Sequence, residues 1–172
     1  MKWSRARRNI VISVIVAAIT IAAMIHPSIP QRIGAILVYD QRPKDWIITD
    51  RYIHDIKALP EFLKNDSSRI YIGKKGSYTK GKVVYLNVND YHADIVLHEA
   101  IHVLDNRYKI TEGSAYKKCL LKDHYRIDDR LDEVFVTTMM FQYRHRKRMK
   151  KAFPHTYQFQ CHIISKVQQK RQ

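Results

Sequence analysis

The segment HEAIH, from His98 to His102, constrains the fold of this chain more than any other feature. Apolar side chains recur around it, at Ile95, Leu97, Ile101, Val103 and Leu104. This spacing predicts a largely buried helix over residues 91–106. Side chains four residues apart lie on the same face of a helix, so the two imidazoles can converge on one point. The chain must bury this helix and still leave one polar patch of it accessible.

Two converging imidazoles beside a carboxylate are typical of a catalytic metal site. Zn²⁺ is commonly held by such a histidine pair, and it activates water for hydrolysis. The adjacent Glu99 can take a proton from that water and return it to a leaving amine. We therefore expect Zn²⁺ as cofactor, His98 and His102 as ligands and Glu99 as general base. The alternative is a histidine pair on the surface of a core helix.

A catalytic zinc site needs a third protein ligand and leaves one position for water. The downstream candidates are Glu112, His124, Asp128, Asp129, Asp132 and Glu133. The later acidic residues begin a predicted helix that can pack against the motif helix. We predict Glu133 as the third ligand, with Asp132 as the alternative. Glu133 could instead be an exposed carboxylate that interacts with the helix dipole.

Two segments resemble the anthrax lethal factor-like metallopeptidases, a family of the gluzincin type. They are HEAIHVLDN, residues 98–106, which carries the family's aspartate at Asp105, and EVF, residues 133–135. The resemblance implies a zinc endopeptidase that hydrolyses peptides or proteins, with Glu133 as third ligand. It also implies an oxyanion-stabilising tyrosine, which corresponds to Tyr125. The sequence departs from the family pattern at Ile101 and Thr137.

The rest of the chain predicts an α+β fold. Segments 69–73 and 82–88 are rich in β-branched and aromatic residues and flank a turn-rich loop, which predicts an antiparallel hairpin. Further helices are predicted for residues 46–63, broken or kinked at Pro60, and for 128–150 and 156–168; residues 113–123 form a short helix or a loop. We expect a zincin-like metallopeptidase domain, with a small antiparallel sheet or hairpin, the motif helix and C-terminal helices, behind an N-terminal transmembrane helix. An exposed edge of strand 82–88 could pair with an extended substrate.

The N-terminal region has the features of a membrane anchor. Residues 10–25 contain no charged side chain, and four basic residues precede them. The positive-inside rule then predicts a cytoplasmic N-terminus, residues 1–8, a single transmembrane span, 9–25, and a stem, 26–45. The metallopeptidase domain, 46–172, would be extracellular at the cell membrane. A cleaved signal peptide is the alternative.

The net charge of +15 is concentrated in part near the C-terminus, where residues 141–172 hold nine Lys or Arg and no acidic residue. Such a surface favours anionic partners. For an extracellular domain these would be lipid headgroups or acidic wall polymers, and nucleic acid is not expected. A non-catalytic, membrane-anchored binding protein for an anionic partner is therefore the alternative function.

Cys119 and Cys161 are the two cysteines of the chain. In an exported domain they could form one disulfide, whereas two unlinked thiols are the alternative.

Overall fold

A computed structural model describes residues 30–40, 46–64, 68–73, 76–127 and 130–169. Five strands are described: β1 (Gln31–Ile33), β2 (Ile36–Asp40), β3 (Arg69–Gly73), β4 (Tyr78–Lys80) and β5 (Val83–Asn87). Seven helices are described: α1 (Trp46–Ala58), α2 (Glu61–Lys64), α3 (Ile95–Tyr108), α4 (Ser114–Lys122), α5 (Leu131–Arg144), α6 (Arg146–Ala152) and α7 (Pro154–Gln169).

The five strands form one mixed sheet in the order β1-β2-β3-β5-β4. Strands β2, β3 and β5 run parallel, while β1 and β4 pair antiparallel at the two edges. Alternate residues of the central strands, such as Ile70, Ile72, Val84 and Leu86, are buried, as the two-residue period of a strand requires. Helix α3 contacts β4 and β5, so the motif helix lies against one edge of the sheet.

The prediction of an antiparallel hairpin from segments 69–73 and 82–88 is wrong, because β3 and β5 are parallel neighbours. The loop between them contains β4, which pairs antiparallel with β5. The chain thus reverses twice between β3 and β5 and returns in its original direction. Residues 31–40, part of the predicted stem, belong to this sheet as β1 and β2.

The predicted fold class is corrected accordingly, from a small antiparallel sheet behind a transmembrane helix to an α+β domain with a five-stranded mixed sheet. Within the described ranges, every helix is too short or too polar to cross a membrane. The predicted anchor, residues 9–25, lies outside those ranges, and so does the cytoplasmic segment 1–8. The extracellular location inferred from them stays a prediction.

The helices mostly follow the apolar spacing of the sequence. Pro60 separates α1 from α2, as predicted from its missing N–H. The long helix predicted for residues 128–150 is divided at His145 into α5 and α6. Cys119 and Cys161 are both half-buried free thiols.

Gly34 joins β1 to β2 in a conformation that favours glycine, with φ +60°. A Cβ atom placed there would lie 2.9 Å from the backbone oxygen of Lys64, which accepts a hydrogen bond from the Ala35 N–H. The turn can therefore approach α2 only because Gly34 has no side chain.

We predict that Gly34→Ala destabilises the protein more than Gly81→Ala. Gly81 has nearly the same φ, +59°, but a Cβ atom there meets nothing within 4 Å. Both changes incur the left-handed backbone cost of about 1 to 2 kcal/mol, and Gly34→Ala adds about 1 to 3 kcal/mol of steric strain. Urea denaturation measures both. Equal losses of unfolding free energy would contradict the contact with Lys64.

Candidate metal centre

Helix α3 has a buried side and an open side. Ile101, Val103 and Leu104 are buried in the core. The imidazoles of His98 and His102 line a cavity, and their Nε2 atoms lie 3.1 Å apart. The sequence therefore predicted the pairing of the histidines correctly, because the four-residue spacing fixes it once the helix forms.

Glu133, in the first turn of α5, reaches both histidines. One of its carboxylate oxygens lies 3.5 Å from His98 Nε2, and the other lies 3.5 Å from His102 Nε2. Taking one ligand atom from each residue, the three atoms lie within 4.8 Å of one another. Within the described part of the chain, this is the group of His, Cys, Asp and Glu side chains that could hold a metal ion.

The spacing of these atoms fits a small cation. Two ligands bound at about 2.0 to 2.1 Å to a tetrahedral zinc ion lie about 3.3 Å from each other. The separation of 3.1 Å between the two nitrogens is close to that value, and each nitrogen lies 3.5 Å from a different oxygen of Glu133. Three protein ligands also leave one position open, as catalytic sites require.

His98 is suited to bind a metal at neutral pH. Burial, and to a smaller extent the neighbouring His102, lowers the pKa of His98 from its ordinary value. An imidazole must be neutral to donate its lone pair to a cation. The lowered pKa keeps His98 in the form that binds metal.

Arg130 orients Glu133 in this group. Its Nη2 atom donates a hydrogen bond of 2.7 Å to Glu133 Oε1 and lies 3.5 Å from Asp132 Oδ2. A ligating carboxylate is commonly held by such an outer partner. The sequence did not point to Arg130, because this residue precedes α5 and its contact with Glu133 depends on how the chain enters that helix.

Thr79 of β4 was also missed, because the sequence around it was interpreted as a loop. Its hydroxyl lies 2.6 Å from Glu99 Oε2, to which it donates a hydrogen bond. Glu99 is only 6% exposed, so this bond fixes a nearly buried carboxylate beside the histidine pair. The edge strand thus positions the predicted general base.

These side chains surround a cavity of about 410 Å³. Its lining residues are Ser77, Tyr78, Thr79, His98, Glu99, His102, Asp105, Asn106, Arg130, Asp132 and Glu133. A second cavity, of about 420 Å³, is bordered by Leu97 and Ile101, on a different side of α3. It contains none of the metal-binding group, so we assign the site to the first.

Three further residues named in the sequence analysis are not part of the metal-binding group. Asp132 lines the cavity but is not one of the three converging residues. Tyr125 does not line the cavity, and its ring packs edge-to-face on Phe153 at 5.3 Å. Asp105 accepts hydrogen bonds from the backbone N–H and the hydroxyl of Thr111.

The predicted basic surface is exposed. The cations of α6, Arg146, Lys147, Arg148, Lys150 and Lys151, are all on the protein surface. Arg146 also donates a hydrogen bond to the hydroxyl of Tyr157. An anionic partner for this surface stays a prediction.

Comparison with known proteins adds no assignment: no protein-family model, curated protein or solved structure matches this chain.

We predict that His98→Ala and His102→Ala each abolish binding of a divalent cation, because either change removes one of three ligands. Zn²⁺ or Co²⁺ at about 100 times Kd should stabilise the wild-type fold by about 2.7 kcal/mol. Calorimetric titration and thermal denaturation measure binding and stabilisation. His162→Ala is the matched control, because His162 is an exposed histidine on α7. Stabilisation of the His98→Ala protein equal to that of the wild type would contradict the site.

Proposed function

We propose that this protein is a zinc-dependent peptidase in which Glu99 acts as general base. The observation that carries the proposal is the convergence of His98, His102 and Glu133 from two helices beside a carboxylate held by Thr79. The resemblance of residues 98–106 and 133–135 to the lethal factor-like metallopeptidases is part of the same proposal.

Zinc is the metal that this donor set and its surroundings favour. Two histidines and one carboxylate hold catalytic zinc, and the same set holds Fe(II) in some oxygenases. Hydrolysis needs a base beside the metal, and Glu99 supplies one next to His98. Zinc bound by the three ligands would supply Lewis acidity that activates water and polarises the substrate carbonyl.

The side chains around the metal position have separate tasks. Glu99 accepts the proton of the attacking water and returns it to the leaving amine. Thr79 keeps the Glu99 carboxylate in place through its hydrogen bond of 2.6 Å. Arg130 holds one oxygen of Glu133, which fixes the carboxylate for the metal. The role of Tyr125 in stabilising the oxyanion stays a prediction from the resemblance.

Strand β4 is the best-placed element to hold a peptide. The predicted substrate edge on strand 82–88 does not exist, because β5 pairs with β3 on one side and with β4 on the other. Strand β4 ends the sheet, and none of the described strands pairs with its outer edge. A peptide added there would form backbone hydrogen bonds and lie alongside the cavity lined by Thr79 and Glu99.

We predict that Glu99→Gln lowers kcat for peptide hydrolysis by about 100-fold or more while leaving the zinc content unchanged, because the amide cannot accept the proton. Elemental analysis of the full-length chain and cleavage of a peptide library test both parts. Glu112→Gln is the matched control, because Glu112 is an exposed carboxylate paired with Lys109. Undiminished zinc-dependent cleavage by Glu99→Gln would rule out this mechanism.

We further predict that Thr79→Val lowers kcat about tenfold, since it removes one hydrogen bond to a charged group and leaves Glu99 free to rotate. Thr79→Ser should restore most of the rate, because serine supplies the same donor. Steady-state kinetics compare the two, with zinc content as control. If Val and Ser at this position gave the same rate, the hydroxyl would have no positioning role.

A further inference from the structure

Four tyrosines form a continuous row of stacked rings across the sheet. Tyr39 of β2 stacks on Tyr71 of β3 at a centroid distance of 4.7 Å, and Tyr71 stacks on Tyr85 of β5 at 5.6 Å. Tyr85 then stacks on Tyr78 of β4 at 4.7 Å. The interplanar angles are 13°, 19° and 23°, so the four rings are close to parallel.

The row follows directly from the strand register. Tyr39 pairs with Tyr71, Tyr71 with Tyr85, and Tyr85 with Tyr78, so each ring has the next one directly opposite it. Side chains alternate between the faces of a sheet, and these tyrosines alternate with buried residues such as Ile70 and Val84. The row therefore lies on the face opposite the core.

Tyr78 is the end ring of this row. Tyr71 and Tyr85 each have a neighbouring ring on both sides, whereas Tyr78 has Tyr85 on one side only among the described residues. The residue is 42% exposed. The outer face of the Tyr78 ring is thus placed where the next strand of the sheet would lie.

The same short strand also forms the wall of the metal cavity. Thr79, next to Tyr78, faces the opposite side of β4 and donates its hydrogen bond to Glu99. Neighbouring strands lie about 4.7 to 4.9 Å apart, a spacing equal to that of the closest rings in the row. A peptide strand on β4 would therefore place one side chain against Tyr78 and the next toward the cavity.

We propose that the protein selects extended peptides with an aromatic residue at the position that pairs with Tyr78, so that the substrate side chain becomes the fifth ring of the row. This inference rests on the proposed function, because it requires a peptide on the edge of β4. Because Thr79 is hydrogen-bonded to Glu99, a peptide paired with β4 would hold its aromatic residue at one constant position relative to the cleaved bond.

Cleavage of alanine-threonine peptides, in which one position at a time carries Tyr, Phe, Leu or Lys, tests the selection. Wild-type protein should favour Tyr and Phe over Leu by about 2- to 10-fold in kcat/KM at a single position, because an aromatic pair adds this much beyond its buried area. Tyr78→Val should remove the preference, and Tyr78→Phe should keep it. A preference that persists in Tyr78→Val would overturn the inference.

Tyr39→Val is the matched control, because Tyr39 belongs to the same row at the end away from β4. It should leave the aromatic preference unchanged. If Tyr78→Val does not fold, the wild-type protein decides: equal rates for Tyr and Leu at every position overturn the inference.

A binding measurement separates this inference from the proposed function. The same peptides, fluorescently labelled, are titrated onto the full-length chain carrying Glu99→Gln. The inference is supported if the Tyr peptide binds more tightly than the Leu peptide and this difference disappears when Tyr78→Val is added to the Glu99→Gln protein. This holds even if no peptide is cleaved. Equal binding of the two peptides overturns it, whereas absent cleavage alone overturns only the catalytic proposal.

Discussion

The candidate metal centre depends on the packing of α5 against α3. Glu133 is far from the histidines in sequence, so its carboxylate reaches them only if the two helices keep a fixed relative position. Phe135 and Val136, which follow Glu133, are fully buried. A shift of α5 by a fraction of an ångström would expose apolar surface and leave voids, which a close-packed core resists. The geometry of the site is thus maintained by apolar contacts below it.

A buried hydrogen-bond network also fixes α5. The hydroxyl of Thr138 accepts a bond of 2.7 Å from Gln160 of α7 and lies 2.8 Å from the hydroxyl of Tyr116 of α4. It donates to the Phe135 carbonyl. Burial raises the pKa of Tyr116 well above its ordinary value, so the phenol stays protonated and can donate. These bonds link α5 to α4 and α7 and so favour one arrangement of the three helices, although the Gln160 Oε1 atom is buried without a hydrogen-bond partner.

The sequence predicted the parts of the structure that depend on short spacings. The histidine pair and Glu99 follow from one helical turn, and the break between α1 and α2 follows from Pro60. The partners of strand 83–87 could not be predicted, because β4 has only three residues and its sequence resembles a turn. The same error concealed Thr79 and Tyr78, since both lie on β4, whereas the other three rings of the row depend on the parallel registers of β2, β3 and β5. The sequence predicted Glu133 as a ligand. Its hydrogen bond to Arg130 could not be predicted, because it depends on how the chain enters α5.

The outer edge of β4, with which no described strand pairs, carries a risk of aggregation and is also the edge proposed to bind a peptide. An unpaired strand edge invites association with other chains, and proteins limit this with short edge strands and with lysine. Strand β4 has both features, because it spans three residues and ends in Lys80, with the turn at Gly81 directly after it. A strand this short gives an incoming peptide few backbone hydrogen bonds. Under the proposed function, selection of a peptide would then come from side chains. The structure provides Tyr78 on one face of β4 and the cavity beyond Thr79 on the other.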